Sequence, residues 1–310
     1  MYKFYNYKIF LLFSLIVMLW SCQSKKIETD QHFSLDFQPN YTKEEATELA
    51  FNNTAKFFAL IKDHPKKNEI KSLHDKAILS IYANNMNIMR GIIGAKEGIN
   101  NLIEAIEKYK QVLVYLPNYE FALDEIIVTY LDVYNYSDNL KRADKIDRLN
   151  ILLEAEKYAI KLVKTKDEQK NLPKNYINYG RAFCLYGGLA YKISTYDTTK
   201  EIQYKYNVLS QKYYETCLKF VKNYQQESLI NLLASFYLDY FYFVDNDFSH
   251  RAQETFDMLK KINNFFDVYK KSLSNKNKKV YKEYFSDKGF IEFLNNYFKK
   301  NNIEFRVEPI

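Results

Sequence analysis

The side chains in this sequence that could do chemistry are few and far apart. His32, His64, His74 and His250 are its four histidines. None has a second histidine three or four residues away, the spacing that puts two ring nitrogens on one helix face for a metal. Asp245, Asp247 and His250 in the stretch VDNDFSHRA could together hold a cation, but Asp247 or Ser249 as a helix cap accounts for the same letters. Gly91, Gly94 and Gly98 have the look of a phosphate loop. They follow no strand and lack a terminal Gly-Lys-Ser/Thr, so the spacing predicts close helix packing and a turn at Gly98 instead. No nucleophile stands near a base, and no pair of carboxylates is set apart for acid and base work. The expectation is a protein that is not an enzyme, with no catalytic residues, no metal and no cofactor.

Three cysteines remain to be placed. Cys184 and Cys217 each lie on an apolar helical stripe, which predicts buried free thiols, with a disulfide as the alternative outside the cytoplasm. Cys22 is different. It ends the segment MYKFYNYKIFLLFSLIVMLWSC, which has two lysines, then an apolar run from Ile9 to Trp20, then a small residue. That order is a secretory signal, 1–21, and its apolar run is well short of the roughly 20 residues that cross a bilayer. The ending Leu19, Trp20, Ser21, Cys22 resembles the lipobox of bacterial lipoproteins, with Trp20 where the family usually has a small residue. The resemblance implies a diacylglyceryl thioether on Cys22 and acylation, for example with palmitate, of its amino group. Several such chains, at about 0.8 kcal/mol per buried methylene, hold a soluble domain on a membrane. Gln23 follows, where the family's inner-membrane retention signal would have Asp, so the outer membrane is favoured over the inner.

The elements that must carry these residues are helices. The chain has 310 residues with 7 Gly and 5 Pro, too few turn-formers for a sheet protein, and long windows rich in Leu, Lys, Glu, Ile and Asn. The predicted class is all-α. The 29 Tyr and 23 Phe agree with the codon usage of an A/T-rich coding sequence as well as with any special role. The formal charge of +7 is concentrated at one end: between Lys260 and Lys300 there are 11 lysines against Asp267, Glu283, Asp287 and Glu292. The remainder is close to neutral, which excludes a nucleic-acid footprint spread over the fold.

Residues 22–40 have no helical period and read as a tether, and 41–310 as one helical domain. Thr42 to Glu45 forms a capping box, followed by Ala46, Leu49, Ala50 and Phe57 on one stripe. A break at Asp63, His64, Pro65 precedes a helical window from Ile70 to about Lys96, with Leu73, Ala77, Ile81, Met89 and Ile92 inward and Asn84, Asn85 and Asn87 weakening its middle. Between Ala105 and Tyr130 two amphipathic patterns meet across Pro117. Ala105, Tyr109 and Val112 form one face; Leu123, Ile126, Ile127 and Tyr130 form the next, and a short connection makes the pair an antiparallel hairpin.

This hairpin resembles the tetratricopeptide repeat, whose second helix carries a small residue, an aromatic, an aliphatic and then a proline at these offsets. Ala155, Ala159 and Leu162 repeat the pattern; Gly188 and Tyr191 resemble the first-helix pair, with Tyr213, Cys217 and Phe220 on the partner helix. Ile230, Leu233, Ala234 and Tyr237 with Ala252, Phe256 and Leu259 form a last pair. The expected architecture is an irregular TPR-like helical hairpin solenoid of three to four units across Met86 to Leu259. Tyr281, Tyr284, Phe285, Phe290, Ile291, Leu294, Tyr297 and Phe298 then form an aromatic, Lys-rich end. It is either a helix that caps the domain or one that lies on anionic lipid.

The resemblance implies a concave side, lined by first helices, that receives an extended peptide or a partner's helix. Carried over by position, the partner-binding candidates are Phe121, Asp124, Val128 and Asp132 in one unit and Asn231, Ser235 and Asp239 in another. Asp124 and Val128 stand where some family members have a Lys and Asn that hold a terminal carboxylate, so that mode is disfavoured. The run Phe236 to Phe248 supplies rings either for the core or for a groove. The expected function is a membrane-anchored envelope lipoprotein acting as a non-enzymatic scaffold for another envelope protein or peptide. The alternative is a helical small-ligand carrier or accessory component of a solute transporter. Nucleic acid is not an expected partner.

Overall fold

The computed structural model describes residues 53–140, 146–168, 177–196, 198–220, 223–243, 251–286, 288–300, 302 and 304. Among them the fold is all-α, without a strand. The signal segment with Cys22, the tether, the capping box and the Asp245–His250 stretch lie outside the described residues. The chain divides into two compact units, Met1–Ile193 and Ser194–Ile310.

In the first unit a helical stretch at 53–61 is followed by α1 (Lys67–Met89), α2 (Ala95–Tyr115), α3 (Glu120–Tyr136), α4 (Arg148–Glu168) and α5 (Ile177–Ser194), with one 3-10 turn at Ser137–Asn139. The stripes expected from spacing are the buried ones. Ala105, Tyr109, Val112, Leu123, Ile126 and Ile127 are fully covered, as are Ala155, Ala159 and Leu162 to within a few per cent. Helices α1 to α4 pack in sequence order, each on the next. Helix α3 is apolar on two sides because it is covered by more than one neighbour.

One expectation fails at the end of α1. The window expected to run to Lys96 stops at Met89, and Met89 and Ile92, expected inward, are 63% and 64% exposed. Gly91 is the cause: it takes the left-handed region at φ 68, its N–H donates to Ile88 O at 2.9 Å, and Ile92 N–H donates to Asn87 O at 2.9 Å. This is a Schellman stop, which a residue with a side chain would enter only with strain. Gly98 does not make a turn; it lies inside α2, where a Cβ would collide with the Ile88 side chain. It therefore sets how closely α2 approaches the end of α1. Asn84, read as a weak point, is buried and fully used: its Nδ2 donates to Gly98 O at 2.8 Å and its Oδ1 accepts from Asn101 at 3.1 Å.

The second unit contains α6 (Lys200–Leu218), α7 (Asn223–Phe243), α8 (Ala252–Tyr269), α9 (Asn275–Ser286) and α10 (Lys288–Lys300). Thr199 caps α6 by accepting from Ile202 N–H at 3.4 Å. Tyr214, rather than its neighbour Tyr213, is buried on α6, and Phe220 is 40% exposed because it lies beyond the helix end at Leu218. Ile230, Leu233, Ala234 and Tyr237 of α7 are buried, with Tyr237 against Phe265 of α8 at 5.0 Å between ring centroids, and Phe256 and Leu259 of α8 are buried too. Phe236, Tyr237 and Tyr240 are each about 1% exposed, so the described part of the aromatic run is core.

The single window expected from Tyr281 to Phe298 is two helices. On the last, Ile291, Leu294 and Phe298 are buried, with Phe298 against Phe256 at 5.4 Å between ring centroids. That apolar face is therefore not presented to a lipid surface. Cys184 and Cys217 are both buried and both disulfide-bonded, where free thiols were expected. An apolar stripe accommodates a thiol and a half-cystine equally well, so spacing alone could not decide.

Candidate functional site

Helix α3 holds the first group of expected contact residues. Phe121, Asp124, Val128 and Asp132 recur every three or four positions, so they share one side of the helix, and all four are partly exposed. The opposite residues, Leu123, Ile126, Ile127 and Tyr130, are occupied with the core. Helices that are not neighbours in sequence reach this side. From α1, Asn85 Nδ2 donates to Asp132 Oδ2 at 2.9 Å. From α5, the Arg181 guanidinium grips Asp124 with two nitrogens, Nε to Oδ1 at 2.9 Å and Nη2 to Oδ2 at 2.8 Å. The planar fork of arginine matches a carboxylate in this way, and lysine would not reproduce it.

Glu125 stands beside this pair. Burial first, and then the neighbouring Asp124 charge, push its carboxyl up to about 8, while Arg181 pulls the other way and Asp132 adds to the rise. Among the described residues no hydrogen bond or ion pair is made by its carboxyl. Tyr82 of α1 is coupled to the same charges; burial, then Glu125, raise its hydroxyl above the usual tyrosine range. Tyr109 of α2 is wholly buried, with burial and then Glu125 and Tyr82 holding its hydroxyl un-ionised.

Two buried polar atoms here have no hydrogen-bond partner among the described residues: the Tyr109 hydroxyl and Asn85 Oδ1. The Asn85 amide cannot be turned to relieve this, because its nitrogen must face the Asp132 carboxylate. A buried polar atom left unpaired costs on the order of 1–3 kcal/mol, so both mark a place where a group of suitable chemistry would be welcome.

The far end of the same face is structural. Phe57 stacks on the His74 ring at 4.0 Å, His74 Nε2 and the Tyr119 hydroxyl are 3.1 Å apart, and Phe121 lies against His74 at 5.6 Å. His74 is thus a core histidine. Lys166, only 2% exposed, is neutralised by Glu120 at the start of α3. Arg148 sits on the Tyr134 ring at 4.0 Å, with Lys192 at 5.4 Å from the same ring, and pins the C-terminal end of α3.

The second group of expected contacts is placed differently. Asn231 is 9% exposed and holds the turn before α9: its Nδ2 donates to Ser272 O at 3.2 Å, and its Oδ1 accepts from Ser274 N–H at 2.6 Å. Ser235 donates to Asn231 O at 3.1 Å and lies 3.3 Å from Asn277 Oδ1. These two side chains fasten α9 to α7, whereas Asp239 is exposed. Among the described residues no group of three or more His, Cys, Asp or Glu converges as a metal site, and no helix is long and apolar enough to cross a membrane.

Spacing placed Asp124 and Asp132 on this side of α3 but missed Tyr82, Asn85, Glu125 and Arg181. The signal for Glu125 was a second carboxylate next to Asp124 at the entrance to an apolar run. For Asn85 and Arg181 nothing local distinguished a contact residue from a solvated one. Compared with protein-family models, with curated proteins and with solved structures, the chain matches none.

Proposed function

We propose that this chain is a non-enzymatic envelope lipoprotein, anchored through Cys22, whose repeat-like helical surface docks another protein. The observation that carries the reading is the side of α3 bearing Phe121, Asp124, Val128 and Asp132. It stays partly open while α1 and α5 reach it from either side through Asn85 and Arg181. A face made by alternate helices, charged but with apolar members, suits an extended segment better than a second folded core. Arg181 fixes the Asp124 carboxylate before a partner arrives, which lowers the ordering that binding requires.

The test is photocrosslinking in intact cells with benzoylphenylalanine in place of Val128, and in place of Val114, which is 75% exposed on α2. A discrete protein adduct from position 128 and none from 114 is expected. Adducts from 114 alone, or from neither, would overturn the assignment of this face. The carrier reading is favoured by a different observation, the two unpaired buried atoms, which suit a small polar group. Native mass spectrometry of the protein released from membranes separates the two, because a carrier retains a small molecule of defined mass.

A further inference from the structure

The second unit carries positive charge that the fold leaves almost unanswered. From Val268 to Lys282 the chain has six lysines, Lys270, Lys271, Lys276, Lys278, Lys279 and Lys282, and no Asp or Glu; Asp267 and Glu283 flank the stretch. Five of the six are exposed, and Lys278 is partly so. Among the described residues only Lys279 has an ion pair, a loose one to Glu283 at 3.7 Å, with both side chains largely in solvent. A pair of that kind contributes little and does not cancel its neighbours.

The turn between α8 and α9 holds these lysines in place. Helix α8 ends at Tyr269, and Ser272 N–H donates back to Tyr269 O at 2.8 Å. Asn231 of α7 then clamps the turn on both sides, its Nδ2 donating to Ser272 O and its Oδ1 accepting from Ser274 N–H. Asn277 Nδ2 donates to Asn231 O at 2.9 Å, and Leu273, in the middle of the turn, is 4% exposed. With Leu273 and Asn277 taken up by the interior, the lysines beside them are left on the outside. Lys279 stands about 200° round α9 from Asn277. Val268, two residues past the buried Phe266, is 72% exposed, the most exposed large apolar side chain described in this unit.

From this clamped, basic turn we infer that the α8–α9 junction binds an anionic phospholipid surface, with Lys270, Lys271, Lys276 and Lys279 at the lipid phosphates and Val268 at the headgroup boundary. The site lies in the second unit and requires neither Cys22 nor the α3 face. Lysine is a point charge on a flexible stem, suited to a fluid layer of phosphates that offers no fixed geometry. Each lysine near such a surface strengthens binding by about fivefold, and salt weakens the effect. A groove for an acidic protein segment would be served by arginine forks, and this stretch has no arginine. Single-stranded nucleic acid would need free rings to stack on, but Phe266 and Tyr281 are stacked on each other at 3.9 Å, and the Tyr281 hydroxyl donates to Asn263 Oδ1 at 2.7 Å.

The test places a reporter at the turn. The full-length protein with Val268→Trp is reconstituted into vesicles of phosphatidylcholine alone or with about one third phosphatidylglycerol, and tryptophan quenching by brominated lipid is measured. Wild type, whose single tryptophan is Trp20, gives the background. Quenching severalfold greater in the anionic vesicles is expected at about 0.05 M salt, falling to the neutral-vesicle level at about 0.5 M. The same fall is expected with Lys270→Gln, Lys271→Gln, Lys276→Gln and Lys279→Gln combined, with an unchanged circular dichroism spectrum. Because only the lipid charge is varied, the result does not depend on how the chain first reaches the vesicle. Equal quenching in both lipids, no quenching above background, or quenching that the four glutamines leave intact would each overturn the inference. In cells, benzoylphenylalanine at position 268 should yield lipid adducts. A discrete protein or nucleic-acid adduct in their place would overturn the lipid as occupant, while crosslinking from position 128 reports on the α3 face separately.

Discussion

Glu125 is a residue whose burial ties stability to pH. An unfolded glutamate titrates near 4.5, and here burial and Asp124 hold the carboxyl up to about 8. Between those values the folded chain keeps a proton that the unfolded chain has released, so this group's contribution is intact below pH 4.5 and is lost as pH rises to 8. Glu125→Gln cannot ionise. It should match wild type in melting temperature at pH 4.5 and exceed it at pH 8.5 by several degrees, taking about 2–4 °C for each kcal/mol in a unit of this size. Equal melting curves at pH 8.5 would mean that the carboxyl is solvated after all. Lys166 makes the opposite case, because its burial is answered. With Glu120→Gln this contact to an ammonium only 2% exposed loses its charge, and a loss of about 1–3 kcal/mol is expected in chemical unfolding.

At the scale of elements, the join between α1 and α2 depends on two glycines for different reasons. Gly91 stops α1 by its backbone conformation, and Gly98 lets α2 come close by lacking a side chain. Gly98→Ala gains up to about 1 kcal/mol in helix propensity, but the added methyl meets Ile88 well inside van der Waals contact. Overpacking of this kind costs about 1–3 kcal/mol, so a net loss is expected, and Ile88→Ala in the same chain should recover much of it. A Gly98→Ala protein as stable as wild type by urea unfolding would show that the two helices are free to separate. The glycine spacing announced this junction without saying which residue turns and which packs, since both uses require the same missing Cβ. In the second unit, likewise, Asn231 and Ser235 were legible as polar positions on an apolar helix. That they bond the α9 turn rather than a partner depends on Ser272, Ser274 and Asn277, some forty residues away.

At the scale of the whole molecule, the proposed anchor and the proposed docking face make separate demands. Removal of Cys22 by Cys22→Ser should abolish labelling by palmitate and move the protein from the membrane to the soluble fraction, measured by fractionation. It should leave the circular dichroism spectrum of the helical part unchanged. A Cys22→Ser protein that stays membrane-bound would point to a different anchor. The Lys-rich end does not supply that anchor through the apolar face of α10, because Ile291, Leu294 and Phe298 are buried.

The sequence by itself determined the helices and their buried stripes. A period of 3.6 residues, few glycines and prolines, and residues such as Ala105, Leu123, Ala155 and Leu233 leave an apolar side that only another helix can cover. It also determined that Phe121, Asp124, Val128 and Asp132 share a side of α3, since that follows from the helix alone. Only the tertiary structure decided what the side is made of. The Arg181 fork on Asp124, the Asn85 amide on Asp132 and the rise at Glu125 arise between helices nearly fifty or more residues apart in places. Hydrogen-bond geometry and desolvation depend on distances of an ångström or so across that gap, which no local periodicity encodes.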